Sequence, residues 1–347
     1  MRMEEKISFS KNCFDPIRLW AAFSVMFLHY TGYALKLSDN GIGVMKILRT
    51  IVSFFPGVVV LFAMSGYLIS ASFERSKSKK EYFIKRVFRM YPELWVCTLV
   101  NLFVVIILAK EKLDKSIFLW LGTQIFGIAN TPACLSDFAT GSINGALWTI
   151  FTEIQLYIVL GIFYPILKGL STKKWLTLLS VMSGLNIICE ILGSYSTGMI
   201  SKMIERLFIP YAIWFFIGVF CYTKKDTILP YLRKRIVLLL VIYCISKILP
   251  IDIPGYYSDI VTGILCPFIV VGGAYTLPVV RISHDITYGM FLYHWILLNV
   301  IIYFDGMNKL PWLLSVGIFL VSTLVLAWLS QRFVGNISRN LVKKLLR

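Results

Sequence analysis

Arg18 and His29 stand in the first long apolar stretch of the chain, Phe14 to Leu35. A charged residue at the centre of a membrane helix costs about 2.5–3.5 kcal/mol on insertion scales, so its presence there calls for a reason. Eleven positions at about 100° each end about 20° past three full turns, which puts both side chains on one helix face, about 16 Å apart along the axis. That face carries a fixed cation near the helix start and an imidazole about 22 Å in, beyond the bilayer midplane. An imidazole that is neutral near pH 7 is a ready general base. Plainer readings exist for each residue alone. Asp15 is a plausible N-cap, with Pro16 suited to the first turn. Arg18 reaches the interface by snorkelling, and His29 then serves as a hydrogen-bonded packing residue.

Further polar groups recur at membrane depth. Glu153 lies in Trp148-Thr149-Ile150-Phe151-Thr152-Glu153, with Tyr157 one turn later on the same face. A carboxylate at that depth must face the bundle interior and find a partner. His294, in Tyr293-His294-Trp295, is a second mid-membrane histidine, whereas His284 reads as interfacial. Lys85, Arg86 and Arg89 cluster just before the third apolar stretch. Guanidinium forks bind phosphate bidentately, so this cluster suits an anionic substrate. A generic basic inner loop is the alternative. Ser65-Gly66 permits close helix contact.

The elements that must position these groups follow from hydropathy. The 347 residues are 58% hydrophobic and 15% charged, against about 25% charged in a soluble domain. This predicts an all-α polytopic membrane protein with ten spans near 14–36, 51–73, 91–109, 143–167, 174–192, 205–222, 235–250, 257–279, 283–304 and 311–334. Residues 116–129 are apolar but short, which suggests a half-helix. With the N-terminus inside, most of the 35 Lys and Arg residues fall on the inner side, from Arg2 and Lys6 to Arg347. Both termini are therefore expected in the cytoplasm, and an eleventh span is disfavoured. Prolines 56, 165, 210, 267 and 278 are expected to mark kinks. The stretch Phe14–Leu35 is too long and too polar for a cleavable signal peptide. Residues 1–347 read as one membrane-embedded domain with no separate soluble part.

The formal charge of +17 is explained by inner loops, and no basic stretch interleaved with aromatics suggests a nucleic-acid partner. Seven cysteines form no CxxC pair or ligand spacing, so neither a metal site nor a disulfide framework is expected.

Taken in order, the motifs resemble the acyltransferase-3 family of integral membrane O-acyltransferases. The family's Asp-x-x-Arg opening with a following His is matched by Asp15, Arg18 and His29, and its Phe-x-x-Ser-Gly-Tyr stretch by Phe62, Ser65, Gly66 and Tyr67. Its Arg-x-x-Arg-x-x-Pro stretch is matched by Arg86, Arg89 and Pro92, and its Trp-x-x-x-x-Glu-x-x-x-Tyr helix by Trp148, Glu153 and Tyr157. Thr287, Tyr288, Leu292, His294 and Trp295 match a late stretch. Two departures stand out. Lys85-Arg86 replaces a frequent Arg pair, and a terminal Glu-x-Pro is missing around Phe333-Val334-Gly335.

The resemblance implies a multi-pass plasma-membrane enzyme with acyl-CoA, most simply acetyl-CoA, as co-substrate and no bound cofactor. The acceptor would be a hydroxyl of a cell-envelope glycan or its lipid-linked precursor. It implies His29, Glu153 and Tyr157 at the reaction, Arg18, Arg86 and Arg89 on the donor, and Asp15, Ser65 and His294 in support. A glycan or organic-anion transporter, or flippase, fits ten spans with intramembrane charges equally well. A non-catalytic assembly subunit is a third reading.

Overall fold

The computed structural model describes residues 11–249 and 253–346. Arg2, Lys6, Arg347 and Pro250, which entered the topology argument, lie outside the described residues. The helices in order are α1 Phe14–Leu37, α2 Ile42–Ser53, α3 Gly57–Glu74, α4 Lys79–Leu108, α5 Ser116–Ile125, α6 Leu147–Gly169, α7 Thr172–Tyr195 and α8 Met199–Arg206. They continue with α9 Ala212–Thr223, α10 Lys225–Ile248, α11 Ile260–Ala274, α12 Thr287–Tyr303, α13 Gly306–Lys309, α14 Trp312–Ser330 and α15 Asn336–Leu345. There is no strand among the described residues.

A helix stands at each of the ten expected positions. Among the described residues, five segments can cross a membrane by length and composition: Ile42–Glu74, Lys79–Leu108, Leu147–Gly169, Thr172–Tyr195 and Trp312–Leu345. The pair Ile200–Arg206 and Ile209–Thr223, bent by 48°, makes a sixth if it is one span. Shorter apolar helices, α5, α11 and α12, accompany them. The chain is a polytopic helical membrane protein. The expected half-helix is α5, whose 10 residues reach about 15 Å, half of a hydrocarbon core.

Local chemistry sets the helix ends. The Asn12 side chain accepts from the Phe14 N–H at 3.4 Å. It, not Asp15, takes the capping role at α1, and Asp15 lies inside the first turn. Ser78 accepts from the Glu81 N–H while the Glu81 carboxylate accepts from the Lys77 N–H, close to a capping box. This cap starts α4 at Lys79, well before the expected start of the third span. Pro56 stands in the break between α2 and α3, and Pro210 in the break before α9, where a missing N–H costs least.

The chain divides into two compact units, each assembled from three separate stretches. The first unit comprises Met1–Ala21, Val58–Arg75 and Leu156–Ser283. Here α9 is buried along its whole length from Ala212 to Tyr222. It meets α3 backbone to backbone. A Cβ on Gly66 would overlap the Phe215 carbonyl, and one on Gly218 would overlap that of Ala63. Tyr67 and Tyr275 share a hydrogen bond of 2.9 Å.

The second unit comprises Ala22–Gly57, Ser76–Gln155 and His284–Arg347. Its α12 and α14 pack closely, with Gly289 directly against Ala327. The turn from α1 into α2 is tied to the start of α14. Asn40 donates to the Leu310 carbonyl at 3.0 Å, and Gly41, at φ +73°, lies against the Trp312 ring.

Candidate functional site

His29 and His294 meet in the second unit, although 265 residues separate them. His29 Nδ1 and His294 Nε2 are 2.9 Å apart, and the ring planes are within 7° of parallel. His294 Nδ1 lies 3.1 Å from the Met290 carbonyl. A carbonyl only accepts, so Nδ1 of His294 carries the hydrogen. In the neutral pair, His294 Nε2 then accepts from His29 Nδ1–H, and the lone pair of the assembly sits on His29 Nε2. His294 is fully buried, at 0% exposure, whereas His29 is half-buried. Of the two imidazoles, His29 is the more accessible.

Aromatic and polar groups fix the pair. The Trp295 ring packs edge-on against His29 at 4.9 Å between centroids and against Tyr33 at 6.1 Å. Its indole N–H donates to Thr140 Oγ1 at 3.0 Å and to the Ser142 carbonyl at 3.2 Å. Asn299 on α12 donates to the Ser142 and Ile143 carbonyls, and Thr140 donates to its side-chain oxygen at 2.7 Å. Gly145 lies so close to the Trp295 ring that a Cβ there would overlap it. The segment 139–146 therefore clamps the indole, and the indole walls the imidazole.

Arg49, on α2, is a cation that hydropathy reading passed over as part of an outer loop. Its Nη1 donates to the Leu28 carbonyl at 2.6 Å and to Thr31 Oγ1 at 3.1 Å. Its guanidinium lies beside Gly32, and its charge acts on His29. The helical spacing of Met45 and Val52, the buried positions of α2, was the available signal that this segment is a helix.

Of the residues expected at the donor, Arg86 and Arg89 are both half-buried on α4. Arg89 pairs with Asp285 at 2.9 Å, and its guanidinium lies over the Tyr288 ring. Tyr288 donates to the Met90 carbonyl at 2.9 Å. Asp285 also accepts from the Thr287 N–H at 3.2 Å, so the basic cluster is tied to the start of α12. Half-buried Glu153 lies close enough to Tyr288 to act on it electrostatically. A carboxylate not singled out from sequence, Glu93, is 3% exposed and accepts from Ser330 at 3.0 Å.

The other expected residues belong to the first unit. Asp15 accepts from the Ile282 N–H at 3.2 Å. Arg18 is half-buried just beyond the first turn of α1, and Ser65 is half-buried on α3. Tyr157 is 7% exposed, with its ring 6.5 Å from that of Phe215.

A family model described as an acyltransferase domain matches residues 11–332. The O-acetyl transferase of Shigella phage Sf6 is 25% identical over 355 residues, covering 96% of this chain and 95% of that protein. Nodulation protein 10 of Rhizobium leguminosarum bv. viciae is 31% identical over 169 residues, which is 45% of each chain, so that match spans less than half of the relative's length. No solved structure matches. Helical architecture, ordered motifs and a family match over nearly the whole chain agree: the protein belongs to the acyltransferase-3 family, enzymes that transfer acyl groups other than aminoacyl groups.

Proposed function

We propose that the protein O-acetylates a cell-envelope carbohydrate, or its lipid-linked precursor, at the plasma membrane, with acetyl-CoA as the donor. The observation that carries this reading is the His29–His294 pair, which leaves a lone pair on the more accessible imidazole. His29 Nε2 takes the proton of the acceptor hydroxyl as its oxygen attacks the thioester carbonyl. The new C–O bond forms, and the carbonyl electrons move to oxygen. Collapse breaks the C–S bond, and the thiolate regains the proton from His29. His294 orients His29 and bears part of the charge that develops on it.

Arg86 and Arg89 hold donor phosphates from the cytoplasmic side. Asp285 keeps the Arg89 fork aimed. Glu153 orients the acceptor, while Asp15 and Ser65 support the α1 start and the α3 packing.

The test is mass spectrometry of the envelope glycan from cells with the intact protein, without it, and with His29→Ala. Loss of one acetyl substituent in both deficient strains, with glycan export normal, is expected. Lost export with acetylation untouched would overturn the enzyme reading in favour of transport.

A further inference from the structure

Acyl transfer at His29 creates a second charge besides the imidazolium, on the oxygen of the carbonyl under attack. In a site with little water, that oxyanion needs fixed donors aimed at it. Most donors around the imidazole pair are committed elsewhere. Trp295 donates to Thr140 and Ser142, Tyr33 to the Thr140 carbonyl, and Tyr30 to Ser315. The Thr31 hydroxyl donates back to Phe27 and Leu28 carbonyls, and His294 Nδ1 to Met290.

Arg49 differs. Its Nη1 is anchored on the α1 turn that carries His29, while its Nε–H and Nη2 N–H groups make no hydrogen bond among the described residues. The side chain is half-buried, and it sits where α1 offers Gly32 instead of a side chain. A half-buried guanidinium with unused donors is costly unless it faces an anion or water.

Building on the proposed acetyl transfer, we infer that Arg49 is the oxyanion-stabilising residue of this site, its remaining N–H groups receiving the thioester carbonyl oxygen as the carbon becomes tetrahedral. The substrate chemistry is that of an acyl thioester and an alcohol. The alcohol oxygen forms the new C–O bond as the C=O π electrons go to the oxygen facing Arg49 and the hydroxyl proton goes to His29; on collapse the carbonyl re-forms, the C–S bond breaks and the leaving thiolate takes the proton from His29. Arg49 gains nothing from the ground-state carbonyl comparable to what it gains from the oxyanion, so its effect belongs in kcat.

The experiment uses membranes carrying the full-length protein, radiolabelled acetyl-CoA and the native envelope glycan fraction, with wild type, His29→Ala, Arg49→Gln, Arg49→Lys and Arg49→Ala compared at equal protein amounts. Arg49→Gln is expected to lower the maximal rate by about 10²–10³-fold with KM for acetyl-CoA within about twofold. Arg49→Lys should fall between wild type and Arg49→Gln. Millimolar guanidinium added to Arg49→Ala should restore part of the rate, which a misfolded variant would not show. A wild-type maximal rate in Arg49→Gln would overturn the assignment. So would a raised KM at unchanged maximal rate, which would make Arg49 a donor-phosphate ligand, and so would the absence of guanidinium rescue. If the wild type labels no glycan, the acetyl-transfer reading falls and this inference falls with it. If the wild type labels glycan and Arg49→Gln matches it, only the inference falls.

Discussion

The two units of the protein are held by different forces. In the first, α3 and α9 touch at Gly66 and Gly218, where backbones replace side chains, and an aromatic set around Tyr67, Tyr275 and Trp214 fills the space between helices. This is packing of the kind that associates helices where no hydrophobic drive exists between them. In the second, the groups around His29 are joined by side-chain hydrogen bonds running from Met290 through both imidazoles and from Trp295 into segment 139–146. Packing tolerates small shifts in angle, whereas a proton-transfer site does not. A misplacement of about 1 Å can cost about 10²-fold in rate. Substitutions at the α3–α9 contact of the first unit should therefore appear in stability, and those around the imidazole pair of the second in rate.

The strongest way to break this contrast is His29→Ala. Transfer of label to glycan should fall by about 10²–10⁴-fold, the worth of a general base, with the detergent melting temperature unchanged. His294→Gln comes next. It keeps a polar side chain but loses the defined lone pair, and kcat should drop by about 10–10²-fold while KM for acetyl-CoA stays put. Retention of full kcat would make the second histidine a packing residue.

On the other side of the comparison, Gly66→Ala forces α3 away from α9. Overpacking of this kind costs about 1–3 kcal/mol. It should lower thermal stability in detergent, while kcat per folded molecule is kept. Gly145→Ala presses the Trp295 ring instead. Because that ring walls His29, the same chemical change should lower kcat at least as clearly as it lowers stability, and a pure stability loss would erase the distinction between the units. Asp285→Asn is the mildest case. The Arg89–Asp285 pair is about one-third exposed on each side, so the stability change should stay within about 1 kcal/mol, with a modest change in KM for acetyl-CoA as the readout.

The candidate residues were picked from the sequence because a His, Glu or Arg inside an apolar run announces its own cost. His29, Glu153 and His294 were singled out that way, and the structure brings the two histidines together. Their partners were not legible. That His29 bonds His294 depends on how α1 and α12 pack, and no local pattern encodes a contact 265 residues away. Arg49 was missed for a different reason. Hydropathy scanning placed the second span at 51–73 and left Lys46 and Arg49 to a loop, whereas the chain forms α2 over Ile42–Ser53 before breaking near Pro56. The capping role assigned to Asp15 went to Asn12 because Asp15 reaches the backbone of Ile282 instead. Sequence spacing predicts which residues share a helix face, but not which neighbour claims a side chain.

The α12 helix carries one more consequence. It is unbroken over 17 residues, a rod about 26 Å long. Its start is fastened to α4 through Tyr288 and the Arg89–Asp285 pair, and beyond His294 it is fastened to segment 139–146 through Asn299. A rod anchored at both ends cannot slide by one residue rise, about 1.5 Å, without loosening both anchorages. The two ends are therefore mechanically linked, with the imidazole pair between them. Amide hydrogen exchange in segment 139–146 should quicken when Asp285 is replaced, although the nearest shared element is α12 itself; unchanged exchange there would show that the rod bends rather than slides.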